Sequence, residues 1–262
     1  MHMTKIRPFH EAEVRLEIRL NQTRTREESR QRYENVYGAG DISQSESLYM
    51  WLLDLLNLDS NERYLDISCG LGELPYYAKK QIPMAHGMDL SHNALVKGQG
   101  KFQLDRLVTA NSEQLPYADE SFDVISSIGS LEHYVDMAVA VREKARVLKI
   151  DGRALILVPN TFSLLSNIWI AFRQGKTAVD PYQPIQRYLA RYEWQALLED
   201  NGLVVERTIK YEREWPRTRR DMLNYLRRPK EMIRLILTPF IPLNLAWSFV
   251  FFCRKQGPSN IL

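Results

Sequence analysis

The stretch RYLDISCGLGELPYY, residues 63–77, decides the fold. Its run Tyr64–Ile67 is apolar apart from Asp66, reads as a strand, and opens at once into a turn carrying Gly70 and Gly72. Glycine allows so tight a turn and lets amide N–H groups approach a ligand, while the helix that follows favours negative charge at its N-terminus. Strand, glycine turn and helix in this order open the nucleotide sites of α/β sheets. Two residues depart from the dinucleotide fingerprint G-x-G-x-x-G. Ser68 stands where another glycine is usual, and Pro75 stands where the third glycine would let helix and strand pack closely. Pro75 suits a helix's first turn but argues against NAD.

Outward from this stretch the pattern alternates. It predicts strand Tyr64–Ile67, a helix after Gly72, strand Met84–Met88, a helix after Ser91 and a short strand near Leu107–Thr109. Strand Asp123–Ser127, a helix through Met137–Leu148 and strand Ala154–Val158 follow. Such alternation means parallel βαβ units with right-handed crossovers and helices on both faces: an α/β, Rossmann-like, doubly wound sheet. Upstream, Leu48, Trp51, Leu52, Leu55 and Leu56 recur at helical spacing, giving an apolar face to lie on the sheet. Residues 11–36 read as a solvated helix ending in a turn at YGAGD, 37–41. After Pro159 comes a mixed aromatic and basic insertion, then a helix stopped at Gly202, a strand, a second basic insertion and a last strand in LAWSFVFFCRK.

The expected organisation is one domain over 1–262. Residues 1–45 form a helical cap, 46–160 the cofactor-binding core, 161–190 and 212–243 cap insertions, and 191–211 with 244–255 complete a mostly parallel sheet with an antiparallel final strand.

Composition bounds the function. Hydrophobic content of 45% and charged content of 26% over 262 residues describe an ordinary globular chain. A net charge of +3 does not by itself imply nucleic acid, although arginines crowd between Arg207 and Arg228. Cys69 and Cys253 belong to no C-x-x-C pair that would mark zinc or redox work, so no metal is expected and a reducing, cytoplasmic setting fits. The charged N-terminus has no signal-peptide core, so no export is expected. Leu235–Phe252 is free of charge, but Pro239 and Pro242 interrupt it and disfavour a membrane span.

Ligands of open α/β sheets lie beyond the carboxyl ends of the strands, which singles out loops 66–73, 88–92, 110–117 and 127–134. Asp89, closing the second strand, is placed to accept from two ribose hydroxyls, an arrangement that NAD and S-adenosylmethionine share. The alternative role for Asp89 is to cap the next helix, which Ser91 can do instead.

Four blocks in order, LDISCGLGELPYYAKK, GMDLS, NSEQLPYADESFDVISSIGSLEHYVD and REKARVLKIDGRALILVPN, together resemble a class I S-adenosylmethionine-dependent methyltransferase of the small-molecule, ubiquinone-methyltransferase-like group. The resemblance implies S-adenosyl-L-methionine as cofactor and S-adenosyl-L-homocysteine as product. It implies that Asp66, Ser68, Cys69, Gly70 and Gly72 surround the methionine portion, and that Asp89 and Leu90 hold ribose and adenine. Asn111 and Ser112 would lie at the adenine edge, and Ser127 and Ile128 near the sulfonium. Ser68, Asn111 and Ile150–Asp151 depart from the family's usual glycine, aspartate and Pro-Gly.

A sulfonium carries an activated methyl group, so in-line positioning and exclusion of water do most of the work. A hydroxyl acceptor gains from a base, for which His133, in the loop just after the fourth strand, is the candidate; Glu132 beside it reads as favouring a helix N-terminus. Tyr33, Tyr37, Phe162, Trp169 and Tyr182 are candidate walls of the acceptor pocket. SIGSLEH after the fourth strand is unlike the Asn/Asp-Pro-Pro-aromatic motif of base methylation, so a nucleic-acid acceptor is disfavoured. Basic residues followed by apolar ones in 213–252 suit peripheral membrane contact or a lipophilic acceptor. The expected reaction is methylation of a small organic acceptor at oxygen in preference to carbon or nitrogen. The rivals are a nicotinamide-dependent oxidoreductase and a non-catalytic cofactor-binding partner subunit.

Overall fold

Strand β2 (Tyr64–Ile67) is buried at all four positions, as a central parallel strand covered on both faces must be. The computed structural model describes residues 16–20 and 23–257. Parts of the expected 1–45 cap, of the 11–36 helix and of the 1–262 domain therefore lie outside the described residues.

The chain runs β1 (Leu16–Arg19), α1 (Arg26–Ala39), α2 (Glu46–Leu56), β2, α3 (Glu73–Ala78), β3 (Ala85–Asp89), α4 (His92–Phe102), β4 (Leu107–Thr109) and β5 (Phe122–Ile128). It continues with α5 (Met137–Val147), β6 (Leu148–Pro159), α6 (Trp169–Gln174), β7 (Ile185–Tyr188), α7 (Arg191–Glu199), β8 (Leu203–Tyr211), α8 (Arg219–Arg227), α9 (Pro229–Leu237) and β9 (Ser248–Lys255). A seven-stranded sheet has the order β4-β3-β2-β5-β6-β9-β8, and β9 runs antiparallel to both its neighbours. The order reverses between β2 and β5, so a crevice opens beyond their carboxyl ends.

Side-chain alternation divides the core. Leu65, Ile67, Ile125, Ala154, Ile156 and Val158 pack with α5 and α7 on one face, where Trp194 of α7 donates from Nε1 to the Pro159 carbonyl at 2.8 Å. Tyr64, Val124, Leu155, Leu157 and Val250 pack with α2 and α3 on the other. Gly98 brings α4 against the glycine loop, since a Cβ there would lie 1.9 Å from the Leu71 carbonyl oxygen.

The N-terminal expectation needs correcting. Residues 16–19 form a strand, not a helix, and pair antiparallel with β7 as a separate two-stranded ribbon. Helix α1 begins only at Arg26, where Thr25 and Glu28 make a reciprocal capping box, and it runs through the expected turn to Ala39. The expected strand Met84–Met88 lies one residue later, and Ala154–Val158 is the inner part of a longer strand. Asp151 takes a φ of 64° in the outer part of β6, away from the crevice.

Candidate cofactor and acceptor site

The loop after β2 holds three left-handed residues, Ser68, Gly70 and Gly72, with φ of 63°, 56° and 79°. A Cβ on Gly70 would lie 2.8 Å from the Tyr37 hydroxyl, so α1 closes over bare backbone. A Cβ on Gly72 would lie 2.8 Å from Leu104 Cδ1, and Gly72 caps α3 without lining the cavity described below. Ser68 carries its Cβ in a conformation L-residues avoid, and its hydroxyl lies 3.0 Å from Ser112 Oγ and 2.9 Å from the Tyr134 hydroxyl. It therefore joins the loops after β2, β4 and β5.

Asp89 accepts from the backbone N–H of Gly70 and of Ser91, each at 2.8 Å. Ser91 is the cap of α4, accepting from Ala94 N, while Glu34 of α1 accepts from His92 N and Asn93 N. Asp89 is thus not the helix cap, and it lines the cavity. Burial pushes its pKa up to about 6 against these backbone donors. Burial likewise pushes Asp66 up to about 7, opposed by the Ser126 hydroxyl and reinforced by Asp89 and Glu73. Glu73 accepts from the Ser43 hydroxyl and, at 2.9 Å, from the Tyr49 hydroxyl. No ion pair reaches any of these three carboxyl groups among the described residues. Cys69, buried between them, has its thiol pKa raised by burial and then by Asp89 and Asp66.

Across the loop after β4, Asn111 Oδ1 accepts from Glu113 N at 2.9 Å, and the buried Ser112 hydroxyl sits 3.7 Å from Met88 Sδ. Glu113 is itself held by Arg26 at 2.8 Å and by Val135 N at 2.9 Å.

At the end of β5 the buried Ser127 hydroxyl pairs with Ser130 at 2.8 Å and does not line the cavity, whereas Ile128 and Gly129 do. Glu132, expected to do no more than favour a helix N-terminus, lies on the cavity wall. Its Oε1 stands 3.8 Å from where a Cβ on Gly129 would be, and its Oε2 is buried without a hydrogen-bond partner. Burial pushes this carboxyl up to about 8. His133 Nδ1 lies 2.5 Å from the Ile185 carbonyl, so that nitrogen carries the proton, and its Nε2 is 3.7 Å from Glu132 Oε1. Burial drives the imidazole pKa down to about 4 against that hydrogen bond. Arg187 of β7 buttresses the turn, donating to the Tyr134 and Val135 carbonyls while pairing with Glu17 at 2.5 Å.

These groups surround a cavity of about 400 Å³, within the usual range for small-ligand sites. Asp66, Ser68, Cys69, Gly70, Asp89, Leu90, Asn111, Ser112 and Ile128 line it, with Tyr33, Tyr37, Glu132 and His133. Leu48, Leu52, Leu157, Tyr188, Tyr211 and Trp247 add apolar and aromatic surface to its wall. Phe162, Trp169 and Tyr182 do not line it and are exposed. The insertion instead contributes Asp180, Gln183, which accepts from the Tyr33 hydroxyl at 2.7 Å, Gln186, Arg187 and Tyr188.

The reversed sheet order, the glycine loop and the acid closing β3 are those of the class I methyltransferase fold, and residues 65–156 match the family described as Methyltransferase domain. That match runs from β2 into β6. It is 34% identical over 58% of its length to Methyltransferase GfsG of Streptomyces halstedii, covering 56% of that protein. It is 31% identical over 59% of its length to 27-O-demethylrifamycin SV methyltransferase of Amycolatopsis mediterranei, covering 58% of it. The chain thus spans little more than half the length of these relatives. Among solved structures it shares the fold of the methyltransferase in a complex with the Trm112 activator of Haloferax volcanii. That likeness has a TM-score of 0.61 at 14% identity over 80% of this chain and 90% of that one.

Proposed function

We propose that this protein transfers a methyl group from S-adenosylmethionine to a hydroxyl oxygen of a small lipophilic acceptor, by in-line displacement, with Glu132 taking the hydroxyl proton. The observation that carries this reading is Glu132 itself: a buried carboxyl on the cavity wall, beside Gly129, with one oxygen left without a partner.

The donor set favours a cationic adenosyl ligand. Asp66, Glu73 and Asp89 gather at one end of the cavity with no cation paired to them among the described residues. An ammonium and a sulfonium relieve that repulsion, whereas the two phosphates of NAD increase it. Asp89 would receive the ribose hydroxyls on lone pairs its backbone donors leave open. Asn111 and Ser112 would meet the adenine edge; Asp66, Ser68, Cys69 and Gly70 the methionine portion; and Ile128 the reacting end. When bound, the cofactor supplies a methyl group already activated on sulfur.

What the chain adds is orientation, dryness and a proton acceptor. Tyr33 and Tyr37 close over the glycine loop, and Leu48, Leu52, Leu157 and Trp247 offer an apolar bed for the acceptor. Glu132, with a pKa near 8, is matched to removing a hydroxyl proton near neutral pH. His133, tied to Ile185 and nearly devoid of basicity at neutral pH, fits a positioning role better than the base expected of it. The 27-O-demethylrifamycin relative's name agrees with an oxygen acceptor.

Incubation with methyl-labelled cofactor and a small-molecule extract tests the proposal. A labelled methoxy product formed by the wild type and lost in Glu132→Gln supports it. A C- or N-methyl product overturns the oxygen assignment, and cofactor binding without any label transfer favours the non-catalytic rival.

A further inference from the structure

Helix α8 turns a polar side inward. Asp221 Oδ2 of α8 accepts from Ser47 N at 2.9 Å and from Ser47 Oγ at 2.6 Å, and the Tyr225 hydroxyl donates to the Glu214 carbonyl at 2.9 Å. The opposite side of α8 presents Met222, Leu223 and Leu226 to solvent. Helix α9 buries Leu235 and exposes Ile233, Ile236 and Leu237; Phe240, 79% exposed in the single 3₁₀ turn that follows, continues the row. Their spacing of i, i+3, i+4 and i+7 makes one apolar stripe. A run of this size on a surface marks a place of contact.

Charge selects the occupant. Arg213, Arg217 and Arg234 are paired with Glu231, Asp54 and Glu212. Arg219, Arg227 and Lys230 have no ion pair among the described residues, and all three are exposed. The acids Glu212, Glu214 and Asp221 are buried, so they leave the outer side positive. A second copy would set these unpaired cations against their own kind. Each helix has nine residues, far too short to cross a bilayer, and no helix among the described residues is long and apolar enough to do so.

We infer that α8 and α9 lie on an anionic lipid surface, with Ile233, Ile236, Leu237 and Phe240 in the headgroup boundary and Arg219, Arg227 and Lys230 against the phosphates. Apolar stripe plus flanking cations is the physical requirement for such binding. The surface adjoins the acceptor cavity through one layer: Asp221 holds Ser47 of α2, and the next turn of α2 supplies Leu48, Tyr49 and Leu52 to the cavity wall. A lipophilic acceptor would thus be met where it partitions. The inference rests on the exposed surface and stands apart from the methyl-transfer reading.

Sedimentation with vesicles tests it. The full chain should bind phosphatidylcholine vesicles containing phosphatidylglycerol, bind pure phosphatidylcholine weakly, and release as salt rises. Arg219→Gln, Arg227→Gln and Lys230→Gln together should lower binding roughly a hundredfold, about fivefold per charge. Ile236→Ser with Phe240→Ser should lower it as well. The far-UV circular dichroism spectrum should stay unchanged in both variants, which confirms that they fold. Failure to bind phosphatidylglycerol vesicles, or binding undiminished in the triple variant, overturns the inference. So does a wild-type dimer that dissociates on Ile236→Ser with Phe240→Ser, because the stripe then belongs to a second copy.

Discussion

Pro75 packs against Gly87: a Cβ on Gly87 would lie 3.1 Å from Pro75 Cγ and 2.9 Å from Cys69 Sγ. The close approach of helix and strand that the dinucleotide fingerprint achieves with its third glycine is achieved here with the glycine on β3 and the bulk on α3. Pro75 is therefore accommodated by the neighbouring strand and does not weaken the turn. Gly87→Ala should overpack this contact and destabilise the fold by about 1–3 kcal/mol. Urea unfolding checks it, and an unchanged midpoint would show that the contact has slack.

Ser68→Gly sets two effects against each other. Glycine removes the strain of a φ of 63°, worth about 1 kcal/mol, but loses the hydrogen bonds to Ser112 and Tyr134. Stability should change by less than about 1 kcal/mol, and affinity for S-adenosylmethionine should fall by less than about tenfold. Complete loss of binding in calorimetry would make the hydroxyl indispensable.

The buried acids predict how stability depends on pH. Asp66, Asp89 and Glu132 hold their protons in the fold up to about 7, 6 and 8, above the usual carboxyl range. From about pH 4 to 8 these three groups bind more protons folded than unfolded and make stability fall as pH rises, outnumbering His133, whose lowered pKa acts the other way between about 4 and 6.5. Thermal melts of the ligand-free protein should drop across that window, and the drop should shrink in Glu132→Gln. A melting temperature that rises from pH 5 to 8 in the wild type and equally in the variant would contradict the burial of Glu132.

Glu132→Gln keeps the shape and removes the proposed base. Turnover should fall by about 10²–10⁴-fold with cofactor affinity preserved. The wild-type rate should climb with pH toward about 8 as the carboxyl ionises, and the variant's residual rate should lack that limb. His133→Ala should leave the limb in place while lowering the rate, because it loosens the turn from β7 and removes no base. Disappearance of the limb in His133→Ala alone would return the role of base to His133.

The central sheet was legible because its strands are apolar runs punctuated by glycine, and Tyr64–Ile67 was bounded as observed. The ribbon of β1 and β7 was not, because LEIR alternates over only four residues inside a charged run, IQRY carries no alternation, and the two pair across the chain through Glu17 and Arg187. The loops that meet at the cavity could be named from strand ends. Which side chains face inward could not: Phe162, Trp169 and Tyr182 are aromatic but exposed, while the polar Gln183, Gln186 and Arg187 of the same insertion line the cavity. Glu132 was legible as a charged loop residue, yet its burial and unpaired oxygen arise from β7 folding over the turn.

Titration calorimetry with S-adenosylmethionine and NAD, on the wild type and on Asp89→Asn, tests the central claim most directly. S-adenosylmethionine should bind the wild type and lose about ten- to hundredfold affinity in Asp89→Asn, the worth of charged hydrogen bonds to ribose, with no binding of NAD to either. Tight NAD binding without measurable affinity for S-adenosylmethionine would contradict it.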